Sequence, residues 1–585
     1  MCGIAGMFGG VDERVLSRMR QRLVHRGPDG SGTAVLGHAG LTSTRLSLLD
    51  FETGSQPMRG RTGQPVLVYN GELYNHQALR SRLEARGVRF EGRSDTEVVL
   101  RAFEHEGLRC VEELEGMYAF AATDGEQLWL ARDAFGIKPL LYALVDGGRR
   151  LVFASELKAL LEEPAVPRQL DRASLFEWST LHNVLGDKTF FHAVRELPAG
   201  GTLTVRRGPE GVLQLEQGRH GGTRPVELPT EPEALVEALL SRLRASVEGQ
   251  RVADHAVGVF LSGGLDSSLL TALLTAQGAS PVHTFTAAES VDHPDVRASR
   301  ELAALLGTEH HEHLFSSERL VRALPETIVT LEAPMEASLV ESAAPHIRGH
   351  VKTVLCGDGA DELFAGYAVH ASPEPWVRSS MENYNRLIRT RRVAPEECRE
   401  TKAVLSTLST REPQVLREAV HRFFLDSPLR YSHLRVWDHG SMAHGLEVRV
   451  PFLDTRVRDL ALALPWSWRL RGETRKVLLR EVARRVLPAS IAEHIIQRPK
   501  LAAPSAVAGA SEQIRRLAET LVPAEHHEGH PFGHYCARPI DLLRLDLFIL
   551  LFVGQGGRLP EGFRTEDLYG AYREELLAAL ARAAG

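Results

Sequence analysis

Cys2 stands directly behind the initiator methionine. A residue that small allows Met1 to be removed, which leaves a thiol and a free α-amine on one residue. An α-amine titrates near ~7.7–8.0, so it can act as general base for its own thiol, and no separate histidine is needed. Further residues with chemical potential follow at loop-like places: His25-Arg26-Gly27-Pro28-Asp29, Arg45-Leu46-Ser47, Asn70-Gly71-Glu72-Leu73-Tyr74-Asn75 and Ser94-Asp95. Singly, an arginine before Leu-Ser is a surface charge and Asn-Gly is a hairpin turn. Their joint order behind Cys2 is what sets them apart.

A second set lies further on. Ser262-Gly263-Gly264-Leu265-Asp266-Ser267-Ser268 follows an apolar run and opens a helical one. Glycines there let backbone N–H groups approach an anion, and the helix N-terminus adds donors and a favourable dipole, so the loop suits a pyrophosphate. No lysine follows its second glycine, and it lacks the dinucleotide fingerprint. Asp266 inside an anion-binding loop calls for a cation, and Mg²⁺ bridging to phosphate oxygens answers that. Gly357-Asp358-Gly359-Ala360-Asp361-Glu362 is a second acidic turn behind an apolar run.

These residues need elements to position them. Val66–Val68 and Leu128–Ala131 read as strands, and Asn75 to Arg86 as a helix with Leu79 and Leu83 at i, i+4. From Arg206 to Pro232 the chain is rich in Gly, Pro, Glu and Gln, which marks a linker or boundary over 206–232. Beyond it helices (Ala234–Gln250, Ser267–Gln277, Val296–Leu306) alternate with strands (Ala256–Leu261, Val282–Phe285, Val351–Leu355). That pattern implies a parallel sheet with ligands at the carboxyl ends of its strands. From about Trp376 the chain reads as mostly helical.

At 585 residues the chain exceeds one hydrophobic core. The 69 Lys and Arg against 75 Asp and Glu leave a formal charge of −6, which makes no case for nucleic-acid or membrane partners. Leu545 to Val553 is too short and too charged, at Asp546, to span a bilayer and reads as buried core. The N-terminus lacks the pattern of a secretory signal. Five cysteines without a Cys-x-x-Cys pair argue against a disulfide framework and a structural zinc site, and a reducing cytoplasm fits best.

Met-Cys-Gly-Ile-Ala-Gly with the first set resembles the glutaminase domain of the glutamine-hydrolysing asparagine synthetases, and Ser-Gly-Gly-x-Asp-Ser resembles the pyrophosphate loop of enzymes that cleave ATP to AMP and pyrophosphate. The resemblance covers roughly Met1 to Lys500. It implies an αββα sandwich of the N-terminal-nucleophile hydrolase type over 1–205. A parallel-sheet α/β adenylate-forming domain with a helical C-terminal part then occupies 233–585. Cys2 is then the nucleophile, and Arg45 offers a fork for the glutamine carboxylate. Asp95 with Glu72 would meet its amine, and the Asn70 side chain with the Gly71 N–H would form the oxyanion hole.

In the second half, Leu261, Ser262, Gly263, Gly264, Asp266, Ser267, Cys356 and Gly357 are expected to bind ATP, with Asp266 and Asp361 on Mg²⁺. Asp358 falls close to the reacting centre. Lys476, in Arg475-Lys476-Val477-Leu478-Leu479-Arg480, would stabilise charge on the α-phosphate. His444 to Asp454 reads as domain-interface structure, and Met117 is a candidate to line an ammonia path.

The implied reaction hydrolyses glutamine and amidates an ATP-activated carboxylate, with aspartate the expected acceptor. Another carboxylic acid in a specialised pathway is the alternative. Intramolecular amide closure and a non-catalytic homologue are disfavoured by the retained Cys2, Asp266, Asp361 and Lys476. Partners are small molecules, and a homodimer is compatible with the family.

Three departures bear on the acceptor. Phe285-Thr286-Ala287-Ala288-Glu289 replaces Ser-Val-Gly-Phe. Glu332-Ala333-Pro334-Met335-Glu336-Ala337 has no arginine nearby until Arg348. Arg498-Pro499-Lys500-Leu501-Ala502-Ala503-Pro504 departs from Arg-Pro-Lys-Gln-Gly-Phe-Gly. A dicarboxylate wants a cation for its second carboxylate.

Overall fold

The computed structural model describes residues 2–278, 281–336, 338–498 and 505–585. The 499–504 stretch, and Lys500 with it, lies outside them.

The first half contributes β1 (Cys2–Phe8), β2 (Gly30–Leu36), β3 (Ala39–Arg45), β4 (Met58–Arg59), β5 (Val66–Leu73), β6 (Gly116–Thr123), β7 (Gln127–Arg132), β8 (Leu141–Val145), β9 (Arg150–Ala154), β10 (Val194–Glu196), β11 (Gly201–Arg207) and β12 (Leu213–Arg219). They form two antiparallel sheets, in the orders β10-β8-β9-β1-β3-β2 and β12-β11-β7-β6-β5-β4. The pleat sends alternate side chains to opposite faces. Ile4 and Phe8, Ala39 and Leu41, Val66 and Val68, and Ala119 and Ala121 therefore fill the space between the sheets. Ala5 and Met7 face outward onto Val15, Leu16 and Met19 of helix Glu13–Arg22. Leu67, Tyr69 and Phe120 are covered by helices His76–Ala85 and Asp95–Glu106. The layering is αββα, as expected.

The second half holds β13 (Val257–Phe260), β14 (His283–Ala288), β15 (Glu309–Leu314), β16 (Thr353–Leu355) and β17 (Glu447–Arg449). They pair in parallel in the order β15-β14-β13-β16-β17. The order runs one way from β13 to β15 and the other way from β13 to β16. The gap between β13 and β16 is thus a topological switch point, where such sheets bind ligands.

One reading of the organisation is corrected. The 206–232 stretch is not linker throughout. Arg206 and Arg207 complete β11, and Leu213–Arg219 pairs along β11 as the outermost strand of its sheet, with Gly201 opposite Arg219 and Arg207 opposite Leu213. An edge strand needs few apolar residues, and in β12 only Leu213 is fully buried. Residues 220–231 carry no helix or strand. The C-terminal helices also pack against the first half. Leu542, Leu547, Leu550 and Leu576 share one apolar cluster with Leu160 and Phe176 of the first. Leu545 to Val553 is core, as expected.

Candidate active site

Strand alternation assembles the first site. Cys2 shares the inter-sheet face of β1 with Ile4 and Phe8, and it lies opposite Arg45 in the β1–β3 register. Arg45 shares the inner face of β3 with Leu41, and Asn70 the inner face of β5 with Val68. All three emerge at one end of the sandwich. The Cys2 N–H donates to Asn70 Oδ1 at 3.2 Å. Asn70 Nδ2 is buried and, among the described residues, has no hydrogen-bond partner, which leaves an amide donor for the site. Gln56 Nε2 donates to Cys2 Sγ at 3.6 Å, while its Oε1 accepts from the Tyr69 N–H at 2.7 Å. The sequence reading missed Gln56, because nothing in its local pattern marks it.

Burial pushes the Cys2 thiol up, and the positive charge of Arg45 opposes this. Arg45 donates to the carbonyls of Leu49 (3.0 Å), Asp50 (2.5 Å) and Phe51 (3.3 Å). A guanidinium carries five donors, so capacity for a carboxylate remains. Asp95 accepts from the N–H groups of Leu73 (3.0 Å) and Thr96 (2.8 Å), and burial raises its carboxyl.

Two expectations change here. Glu72 pairs with Arg449 at 3.3 Å across the domain interface, which takes it away from a ligand amine. Gly71 does not adopt a glycine-only conformation. A Cβ there would meet Met117 O at 2.4 Å, so its smallness serves the close approach of β6.

The His25–Asp29 run lies at the interface. Arg26 is fully buried between Glu156 and Asp438, at 2.8 Å from each. Lys138 reaches Asp438 at 3.2 Å, and Lys158 reaches Glu156 at 2.7 Å and Glu332 at 3.7 Å. Three cations thus balance three carboxylates out of water. Asp29 meets Lys352 at 3.2 Å. Glu332, from the departing segment, accepts from the Leu157 and Lys158 N–H groups at 2.6 and 2.8 Å. It faces the first domain. Glu336 finds its arginine far along the chain, in Arg544 at 3.0 Å.

The second site is a cavity of about 600 Å³ at the switch point. Leu261, Ser262, Gly264, Asp266, Ser267, Cys356, Gly357, Asp358, Asp361 and Lys476 all line it. Gly263 has φ +65° and lies against Ala298 and Arg498. Ser267 Oγ stands 3.1 Å from Ser262 Oγ and folds the loop over the start of helix Leu265–Ala276. Lys476 Nζ bridges Asp266 (2.5 Å) and Asp361 (2.8 Å). Burial works against its charge, but the two carboxylates hold its pKa above the ordinary lysine range.

Asp358 accepts from Cys356 Sγ at 3.4 Å and faces His433 Nδ1 at 3.4 Å. His433, unmarked in the sequence, also contacts Tyr367 Oη (3.2 Å), which donates to Glu362 (2.6 Å). Burial opposes its charge, yet Asp358 and Glu362 raise its pKa to about 9. Arg475, Arg480 and Arg498 line one end of the cavity, and Phe260, Leu339, Val340, Val436 and Trp437 line another.

Residues 1–213 match the glutamine amidotransferase domain family, and residues 238–538 match the asparagine synthase family. With two separate sites, the chain is a two-domain glutamine amidotransferase of the carbon–nitrogen ligase type. It is 30% identical to asparagine synthetase 1 (glutamine-hydrolysing) of Bacillus subtilis, over 86% of this chain and 87% of that one. It is also 30% identical to the glutamine-hydrolysing asparagine synthetase B of Escherichia coli, over 84% and 80%, and to that of Cricetulus griseus, over 86% and 83%. Among solved structures, a glutamine phosphoribosylpyrophosphate amidotransferase of B. subtilis is similar over 55% of this chain and 92% of that one, at 16% identity and a TM-score of 0.30. The chain belongs to the glutamine-hydrolysing asparagine synthetase family.

Proposed function

We propose that the protein frees ammonia from glutamine at Cys2 and uses it to convert aspartate, activated by ATP as an acyl-adenylate, into asparagine. With Met1 removed, the α-amine of Cys2 takes the thiol proton, and the sulfur attacks the glutamine carboxamide. The oxyanion is met by Asn70 Nδ2 and the Gly71 N–H. Collapse expels ammonia and leaves a thioester, which water hydrolyses to glutamate. Arg45 holds the glutamine carboxylate and Asp95 its amine.

In the second site the acceptor carboxylate attacks the α-phosphorus and expels pyrophosphate. Lys476 neutralises charge on that phosphorus, the Ser262–Ser267 loop cradles the leaving group, and Asp358 lies against the reacting carboxyl. Asp266 and Asp361 are oxygen donors at the cavity, and both now meet the Lys476 ammonium. They fit Mg²⁺, which would supply charge neutralisation on the phosphates. Ammonia then attacks the acyl carbon and displaces AMP.

One observation carries the reading. A single buried apolar cluster contains Leu46 and Leu48 beside Arg45, Met117 in β6, and Cys356 at the cavity. This packed apolar seam joins the two sites, and ammonia crossing it past Met117 would be kept from water. All five cysteines are free, which supports a cytoplasmic setting, and among the described residues no helix is long and apolar enough to cross a membrane.

A second reading, amidation of a less polar acid, is favoured by one feature. Phe260, Leu339, Val340, Val436 and Trp437 give the cavity a substantial apolar lining. Pyrophosphate release with ATP, Mg²⁺ and glutamine separates the two. Stimulation by aspartate supports the first reading, whereas stimulation only by a less polar acid sinks it.

A further inference from the structure

Strand β15 reads Glu309-His310-His311-Glu312-His313 and lies at the open edge of the parallel sheet. Alternation puts Glu309, His311 and His313 on one face. The β14–β15 register sets His283 beside Glu309 and Phe285 beside His311. His350 comes from the turn after helix Leu339–Arg348 and lies over His311, with ring centroids 3.9 Å apart. Phe285 lines the cavity, whereas His283, Glu309, His311 and His350 do not.

The ligand atoms of His283, His311 and His350 all lie within 4.8 Å of one another. His283 Nδ1 and His311 Nε2 are 3.1 Å apart. Glu309 presents one carboxylate oxygen to each of these nitrogens, at 3.7 Å in both cases. Two nitrogens on one tetrahedral zinc, at ~2.0–2.1 Å from it, stand about 3.3 Å apart. The His283–His311 spacing is close to that separation, and a bound cation would replace the hydrogen bond the two rings now share. His350 is exposed, so rotation of its side chain can close the third position.

We propose that His283, His311, His350 and Glu309 form a site for a borderline divalent transition cation of the zinc class. Three imidazoles and one carboxylate suit zinc, copper or nickel, and not magnesium, which prefers an all-oxygen shell. Bound metal would tie β14 and β15 to the end of helix Leu339–Arg348, whose first residues Leu339 and Val340 line the cavity. A cysteine-based search of the sequence passes over such a site, because its ligands are imidazoles drawn from three elements.

A second cluster, His526, His530 and Asp546, has comparable spacing but is already satisfied. The Phe532 N–H donates to His530 Nδ1 at 3.0 Å, which leaves His530 Nε2 as the donor to Asp546 at 2.8 Å. Asp546 also accepts from Tyr569 Oη at 2.7 Å. It serves as the control.

The test uses the full chain, stripped with a chelator and titrated with Zn²⁺ against a chromophoric chelator in excess Mg²⁺. One tight equivalent is expected per chain. His311→Gln and His350→Gln should each weaken it by at least about tenfold, and His526→Gln should leave it unchanged. With Co²⁺ the wild type should show the strong visible bands of a tetrahedral site, lost in His350→Gln. Because His350 is exposed, that variant keeps the fold. Absence of tight binding, wild-type affinity in both histidine variants, or loss only in His526→Gln would overturn the proposal.

Discussion

In the first half Cys2, Arg45 and Asn70 occupy one end of three strands whose inner faces are fixed by the pleat. In the second half Asp266, Asp358 and Lys476 come from loops 92 and 118 residues apart along the chain. They meet only because β13 and β16 are adjacent and helix Val477–Val486 starts against them. The first site is rigid by construction, each group being held on a strand within a packed sandwich. The second is held by charge: Lys476 locks two loops together through Asp266 and Asp361. Between them lies the buried network of Arg26, Lys138 and Lys158 with Glu156, Glu332 and Asp438. A strand-built site should therefore fail one chemical step at a time, and a loop-built one should fail as a unit.

The largest expected effect is for Cys2→Ala. It should lose at least about 10⁴-fold in glutamine hydrolysis while keeping amide formation from added ammonium. Normal glutamine turnover in this variant would remove Cys2 from the chemistry. Next, Lys476→Met should lower pyrophosphate release about 10³-fold with either nitrogen source and leave glutaminase activity in place. If only the ammonium-fed reaction suffered, the two loops would not act as a unit. Asn70→Ala should cut glutaminase kcat about 10²-fold with KM little changed, whereas a KM effect alone would make Asn70 a binding group and not an oxyanion donor.

Smaller effects probe the seam and the cavity wall. Arg26→Met leaves Glu156 and Asp438 buried with fewer partners, and should cost about 3–5 kcal/mol in denaturant unfolding. A loss below 1 kcal/mol would mean that water reaches the network. His433 has its pKa raised to about 9 by Asp358 and Glu362 against the cost of burial. Its contribution to stability is therefore complete below the unfolded value near ~6.5 and fades as pH rises through about 9. The melting temperatures of wild type and His433→Gln should converge over that window. A constant difference across it would show that His433 stays neutral.

Much of this was legible in residue order. The small-residue loop at Ser262 and the strand–helix alternation beyond it depend on local geometry, which the chain carries in its spacing, whereas Arg45 and Asn70, read as loop residues, lie on strands β3 and β5. Strand β12 was hidden because an edge strand needs little apolar sequence to hold its place. Contacts between distant elements were decided only in three dimensions. Glu72 was drawn off by Arg449, Glu332 by the Lys158 backbone, and Glu336 by Arg544. Packing alone set His433 beside Asp358 and gathered His283, His311 and His350. A buried charge takes whichever opposite charge the packed core brings nearest, and sequence separation does not constrain that choice.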